Sequence, residues 1–150
     1  HEHLFEYKTH MMQNYGAGVQ ACYRGPRLYD TPETQAAVTE VIQWYKKYRD
    51  ILNSDMIHLR RPDARDWDGF IHVNPHKKEK GLAMFFNPTH QEITRTIHIP
   101  LYYTGLTQTA RIREKEQKPV TYKLNRDYTV ELTVKIPANG YTWYVVEAAD

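Results

Sequence analysis

Residues 130–136 read Val130-Glu131-Leu132-Thr133-Val134-Lys135-Ile136, apolar and polar in strict alternation. Side chains two apart on a strand share a face, so Val130, Leu132, Val134 and Ile136 line one surface and Glu131, Thr133 and Lys135 the other. One buried and one wet face is the pattern of an antiparallel sheet. Ile97, Ile99 and Leu101 alternate with Thr96 and His98 in the same way, so Ile97 and Ile99 are expected to share the core with the first four. The period of two runs through Gly69–Val73, Leu82–Phe86, Ile93–Leu101, Ala110–Arg113, Tyr122–Leu124, Val130–Ile136 and Tyr141–Glu147. Asn74-Pro75, Lys80-Gly81, Asn87-Pro88, Lys118-Pro119 and Asn139-Gly140 read as the turns between them. Short strands at this spacing predict an antiparallel β-sandwich.

Before Pro62 the period changes. Residues 2–14 place Leu4, Tyr7 and Met11 at helical steps, and Gly16 and Gly18 end the run. Val19–Tyr23 reads as a short strand, followed by the turn Arg24-Gly25-Pro26-Arg27. Thr31 is an N-cap with Pro32 at the first helical position and Glu33 in the first turn. The helix over 33–52 carries an apolar stripe of Val38, Val41, Ile42, Tyr45, Tyr48 and Leu52, widened by Ala37, Trp44 and Ile51. A face that wide packs on a sheet rather than on one partner helix. A strand followed by a long amphipathic helix is one βα unit, which needs parallel neighbours. The reading is therefore an α/β barrel tail (helix-strand-helix) over 1–62, followed by an all-β antiparallel sandwich over 63–150. The strand 19–23 and the face of helix 33–52 are expected to want a parallel sheet supplied by an upstream partner.

The composition narrows the class. The 150 residues carry 20 Lys+Arg against 18 Asp+Glu, a net +2 that is too even for an electrostatic nucleic-acid binder. At 41% hydrophobic and 25% charged the chain is globular rather than disordered, and no apolar run reaches the roughly 20 residues of a membrane helix. A single cysteine, Cys22, excludes an intrachain disulfide framework. Tyrosine occurs 12 times against Trp 3 and Phe 4, a usage that suits half-buried strands and sugar-facing surfaces alike.

Four phrases carry a resemblance. VTEVIQWYKKYRDILNSDMIHLRRPD (38–63) resembles the last barrel helix and its exit in bacterial (β/α)8-barrel glycoside hydrolases of the broad α-galactosidase/α-glucosidase type. HVNPHKKEKGLAMFFNPT (72–89), IPLYYTGL (99–106) and YTVELTVKIPANGYTWYVVE (128–147) resemble their closing β-sandwich. The resemblance implies the C-terminal, non-catalytic portion of a carbohydrate-active enzyme, with a carbohydrate substrate, no cofactor, and a periplasmic or extracellular location. Glycoside hydrolysis usually needs two carboxylates about 5–10 Å apart, at the C-terminal ends of barrel strands. Position 24, after the one barrel-type strand, is Arg, so the catalytic pair is expected upstream of this chain.

Arg24 and Arg27 follow that strand where a barrel opens its active-site mouth, and a guanidinium fork there suits sugar hydroxyls or an acidic sugar. Tyr23 is a stacking neighbour. The alternative role for the arginines is a loop-anchoring ion pair with Asp30. His1-Glu2-His3 invites a copper-binding reading, but a helical start does not suit the single sandwich of copper oxygenases. Asp63, Asp66 and Asp68 before Gly69 miss the EF-hand spacing and read as a polar turn. His10, His58, His72, His76, His90 and His98 lack metal-ligand spacing, so no metal site is expected. His98 and the tip His76–Lys80 read as solvent-facing, and Cys22 as an inert buried thiol. Trp67, Tyr102, Tyr103, Trp143 and Tyr144 divide two further readings. A coplanar exposed pair among them would mark a carbohydrate-binding module, whereas rings buried against helix 33–52 would mark a bracing or purely structural domain.

Overall fold

A computed structural model of the protein describes residues 4–18 and 31–149. Two helices, α1 (Leu4–Gly16) and α2 (Pro32–Leu52), precede the strands β1 (Asp55–Arg60), β2 (Asp68–Val73), β3 (Glu79–Phe86), β4 (Ile93–Pro100), β5 (Thr109–Glu114), β6 (Val120–Lys123), β7 (Thr129–Ile136) and β8 (Tyr141–Glu147). α2 starts as its sequence dictates: Thr31 is extended, its hydroxyl accepts from the Thr34 N–H at 3.1 Å, and Pro32 opens the first turn. The strand expected over 19–23, with Cys22, lies outside the described residues, as does His1-Glu2-His3.

The strands form a six-stranded sheet in the order β1-β2-β3-β8-β5-β6 and a two-stranded sheet of β4 and β7. Each of these pairings is antiparallel. The two sheets face each other across one core. Val130, Leu132, Val134 and Ile136 point into it with Ile97 and Ile99, as the alternation required, and meet Ile71, Phe85 and Val146 from the larger sheet. Glu131, Thr133 and Lys135 are exposed. His98 stands on the wet face of β4, opposite Glu131.

The opposite face of the larger sheet is also covered. Phe70, Leu82, Met84, Phe86, Trp143 and Val145 form a second core with Met11 and Met12 of α1 and Val38, Val41, Tyr48, Ile51 and Leu52 of α2. The described residues therefore make three layers: helices, six-stranded sheet, two-stranded sheet. This corrects one expectation. The apolar face of α2 is covered within the chain, because β2, β3 and β8 are buried on both sides and offer a second apolar surface.

Two local readings also change. Lys80-Gly81 is not a turn; it lies inside β3, where the register against β8 shifts between Glu79 and Gly81, a bulge that absorbs one residue. β1 carries no strand in the sequence reading, yet it pairs with β2 from before Pro62, with Ile57 opposite Ile71.

Candidate functional site

The residues singled out for substrate contact, Tyr23, Arg24 and Arg27, lie outside the described residues. What is described is the frame on either side of them. Two residues past the end of α1 stands Gly18, whose φ of +75° is the left-handed value that favours glycine. A Cβ there would stand 2.8 Å from the Leu52 carbonyl oxygen, so the end of α1 abuts the end of α2.

Between α1, β1 and β2 is a cavity of about 330 Å³. α1 contributes Gln13, with Ala17 just past its end, β1 contributes Met56, His58 and Arg60, and Asp68 begins β2. Alternation places Met56, His58 and Arg60 on one side of β1, while Ile57 and Leu59 pack into the sandwich core. Burial pushes the Asp68 carboxyl up to about 6, with the Asp63 charge adding to the rise and Arg60 and His58 opposing it. Such a carboxyl exchanges a proton near neutral pH.

The neighbouring carboxylates are occupied. The Arg60 guanidinium donates to Asp63 at 2.7 and 3.2 Å and to the Trp67 carbonyl at 2.5 Å. Asp63 also accepts from the N–H groups of Arg65 and Asp66, and its carboxyl is held well below the usual carboxylate range, chiefly by Arg60. Asp66 accepts from the Trp67 N–H at 2.8 Å and from Arg95 at 3.2 Å. The three aspartates weighed as a calcium loop thus build an interstrand turn, of which Asp68 alone faces the cavity. Among the described residues no group of three or more His, Cys, Asp and Glu side chains is placed to hold a metal ion. Asp68 is the only carboxylate among the described residues that line this cavity, whereas two-carboxylate hydrolysis requires a pair. The sequence reading weighs His58 only as a metal ligand and does not single out Arg60, because it assigns no strand at β1; the signal is the run Ile57-His58-Leu59-Arg60, which alternates as the recognised strands do.

A half-buried network ties α2 to the sheet. Tyr48 donates to Glu116 and accepts from Arg113 at 3.1 Å, while Arg113 donates to Glu147 at 2.8 Å and Lys47 to Glu116 at 2.9 Å. The aromatic rings follow the same division. Trp143 is buried beneath α2, 5.6 Å from Trp44 and 5.2 Å from Tyr48 between ring centroids. Tyr144 and Trp67 pack on Phe85 instead. Tyr102 and Tyr103 remain exposed, with rings at 90° to each other rather than coplanar.

No protein-family model matches the chain, and no curated protein matches it. Solved structures do. Over 98% of this chain and 31% of its own, a glycoside hydrolase family 27 β-L-arabinopyranosidase from Geobacillus stearothermophilus superposes with a TM-score of 0.64 at 12% identity. α-Galactosidase I from Mortierella vinacea does so over 95% of this chain and 35% of its own, with a TM-score of 0.62 at 14% identity. The chain shares the fold of that part of these enzymes. An α-amylase from Geobacillus thermoleovorans, solved with acarbose, covers 98% of this chain and 34% of its own with a TM-score of 0.60 at 13% identity. The chain thus spans about a third of the length of the structures it matches. The likeness is one of fold, helices followed by an antiparallel β-sandwich. No described helix is long and apolar enough to cross a membrane.

Proposed function

We propose that the chain is the C-terminal portion of a bacterial carbohydrate-active enzyme, its sandwich bracing a (β/α)8 barrel whose catalytic carboxylates lie upstream. Residues 1–62 are the terminal segment of that barrel and 63–150 the closing sandwich, with β1 an arm of the first that pairs into the second. The observation that carries the reading is the superposition of almost the whole chain, helices included, on about a third of a family 27 β-L-arabinopyranosidase and of an α-galactosidase. The burial of Trp143 under Trp44 and Tyr48 supports bracing over a free-standing module, because it welds α2 to the sheet. Arg24, Arg27 and Tyr23 are the proposed substrate contacts, on the barrel strand-end loop. The substrate is a carbohydrate, the site is periplasmic or extracellular, and no cofactor is involved.

The test compares the 150-residue chain with a version extended by the coding sequence that precedes it, on nitrophenyl α-galactosides and β-arabinopyranosides. Turnover by the extended form alone is expected, reduced by Arg24→Ala and Arg27→Ala. Turnover by the isolated chain, abolished by one Asp or Glu substitution within it, would overturn the reading.

A further inference from the structure

The connection from β4 to β5 passes through a single 3-10 turn, Tyr102–Thr104. Its backbone is anchored at both ends. Leu101 and Thr104 are fully buried, the Thr104 hydroxyl donates to the Leu101 carbonyl at 2.5 Å, and the Leu101 N–H donates to the Tyr128 carbonyl at 2.9 Å. Between these anchors Tyr102 and Tyr103 are 62% and 63% exposed, more than any other large apolar side chain among the described residues. Two adjacent rings exposed on a fixed backbone present a preordered surface to the solvent.

The rings have a defined geometry. Tyr102 and Tyr103 stand 5.1 Å apart at 90°, and Tyr102 stands 5.4 Å from Tyr128 at 74°. Tyr128 has a φ of +63°, which is unusual for a bulky side chain. It belongs both to the ring cluster and to a groove of about 520 Å³ that Gln108, Asn125 and Arg126 also line. Strain at a surface position that presents a ring to a groove is a reason to look for a ligand there.

We infer that this corner is a glycan-binding site, which takes one or two sugar units of a soluble polysaccharide. A pyranose has an apolar C–H face and an equator of hydroxyls. One tyrosine stacks under the C–H face, the perpendicular ring walls its edge, and the amides and guanidinium of the groove meet the hydroxyls. A protein partner fits less well: a stable interface buries about 800 Å² a side around an apolar centre, whereas the groove that Tyr128 shares is lined by the polar side chains of Gln108, Asn125 and Arg126. The site goes beyond the bracing role and does not depend on it, because Tyr128 packs on the sandwich core and not on the core under α1 and α2.

The test is native electrophoresis of the 150-residue chain in gels cast with galactomannan, arabinogalactan or soluble starch. Retardation is expected in at least one of the three. Tyr102→Ala with Tyr103→Ala should weaken it about tenfold or more, the loss of a buried aromatic anchor, at an unchanged melting temperature. The Tyr→Phe pair should retain stacking and most of the retardation. No retardation in any of the three gels, or retardation indifferent to the double alanine variant, overturns the inference. So does a concentration-dependent dimer in sedimentation that the same variant abolishes, since the rings would then serve self-association. Retardation without glycosidase activity in the extended chain would defeat the bracing proposal alone.

Discussion

The Nε2 atom of His72 lies 2.5 Å from the carbonyl oxygen of Gly16, the last residue of α1. On the other side of the ring, Nδ1 lies 3.1 Å from the Ser54 carbonyl, just past the end of α2. One buried imidazole on β2 thus serves the C-terminal ends of both helices, where carbonyls lack partners inside the helix and the dipole favours a donor. A neutral ring donates to one of them; the doubly protonated ring donates to both.

His72→Leu should therefore destabilise the chain by about 2–3 kcal/mol, since the buried Gly16 carbonyl would lose its donor and the half-buried Ser54 carbonyl its partner. Urea unfolding measures it, with α1 expected to lose hydrogen-exchange protection first. A loss below about 0.5 kcal/mol would mean that the carbonyls find other partners.

Asp68→Asn tests the cavity electrostatics. The folded-state value of Asp68, about 6, stands above the 3.8 of an unperturbed carboxyl. Between those values the folded protein binds more protons than the unfolded chain. The contribution is present in full below pH 3.8 and is lost as the pH rises through about 6. The variant should match the parent in acid and exceed it at pH 7 by about 1 kcal/mol, a figure discounted for the solvent that reaches the carboxyl. Melting curves across that window measure it; parallel curves for the two proteins would show that Asp68 is not desolvated.

Leu132→Ala should cost about 2–5 kcal/mol as a cavity in the sandwich core, because Leu132 is 2% exposed. Thr133→Ala, one residue on and facing water, should change stability by less than about 0.5 kcal/mol. Equal shifts in urea midpoint would contradict the register Ile97↔Leu132.

The contrast between those two residues marks where the sequence was legible. β7 has one wet face, so its alternation states both strand and orientation. β3 has none: Leu82-Ala83-Met84-Phe85-Phe86 is buried on both sides, and a continuous apolar run identifies a strand without saying what covers its second face. That silence let the stripe on α2 read as an uncovered surface, although the two faces match each other. β1 was missed for a different reason. It follows α2 after only Asn53 and Ser54, and the turn it enters, Arg60 to Asp66, is polar, so its two inward residues, Ile57 and Leu59, stood too close to the helical pattern. Asp68 read as a turn residue because burial depends on α1 and β1 closing around it, which local composition does not encode. The exposure of Tyr102 and Tyr103 was likewise invisible, since buried and exposed tyrosines look alike in a sequence.

Tyr128→Gly separates structural from functional use of that residue. The β6–β7 turn is closed by the Tyr128 N–H donating to the Asn125 carbonyl and the Asn125 N–H donating to the Thr129 carbonyl, both at 2.9 Å. A three-residue hairpin loop of this kind ends in a left-handed residue, ordinarily glycine, and an L side chain there costs roughly 1–2 kcal/mol. Against that stands the packing of the half-buried ring beside Tyr102. Relief of backbone strain should outweigh the partial loss of ring contact, so Tyr128→Gly is expected to raise stability by up to about 1 kcal/mol. The same variant should weaken retardation in the polysaccharide gels, because the ring that joins Tyr102 to the groove is gone. Gain in stability with loss of binding is the signature of a residue kept for its ligand. A variant that melts lower and binds as before would show instead that Tyr128 is held in place by the sandwich core and has no part in recognition.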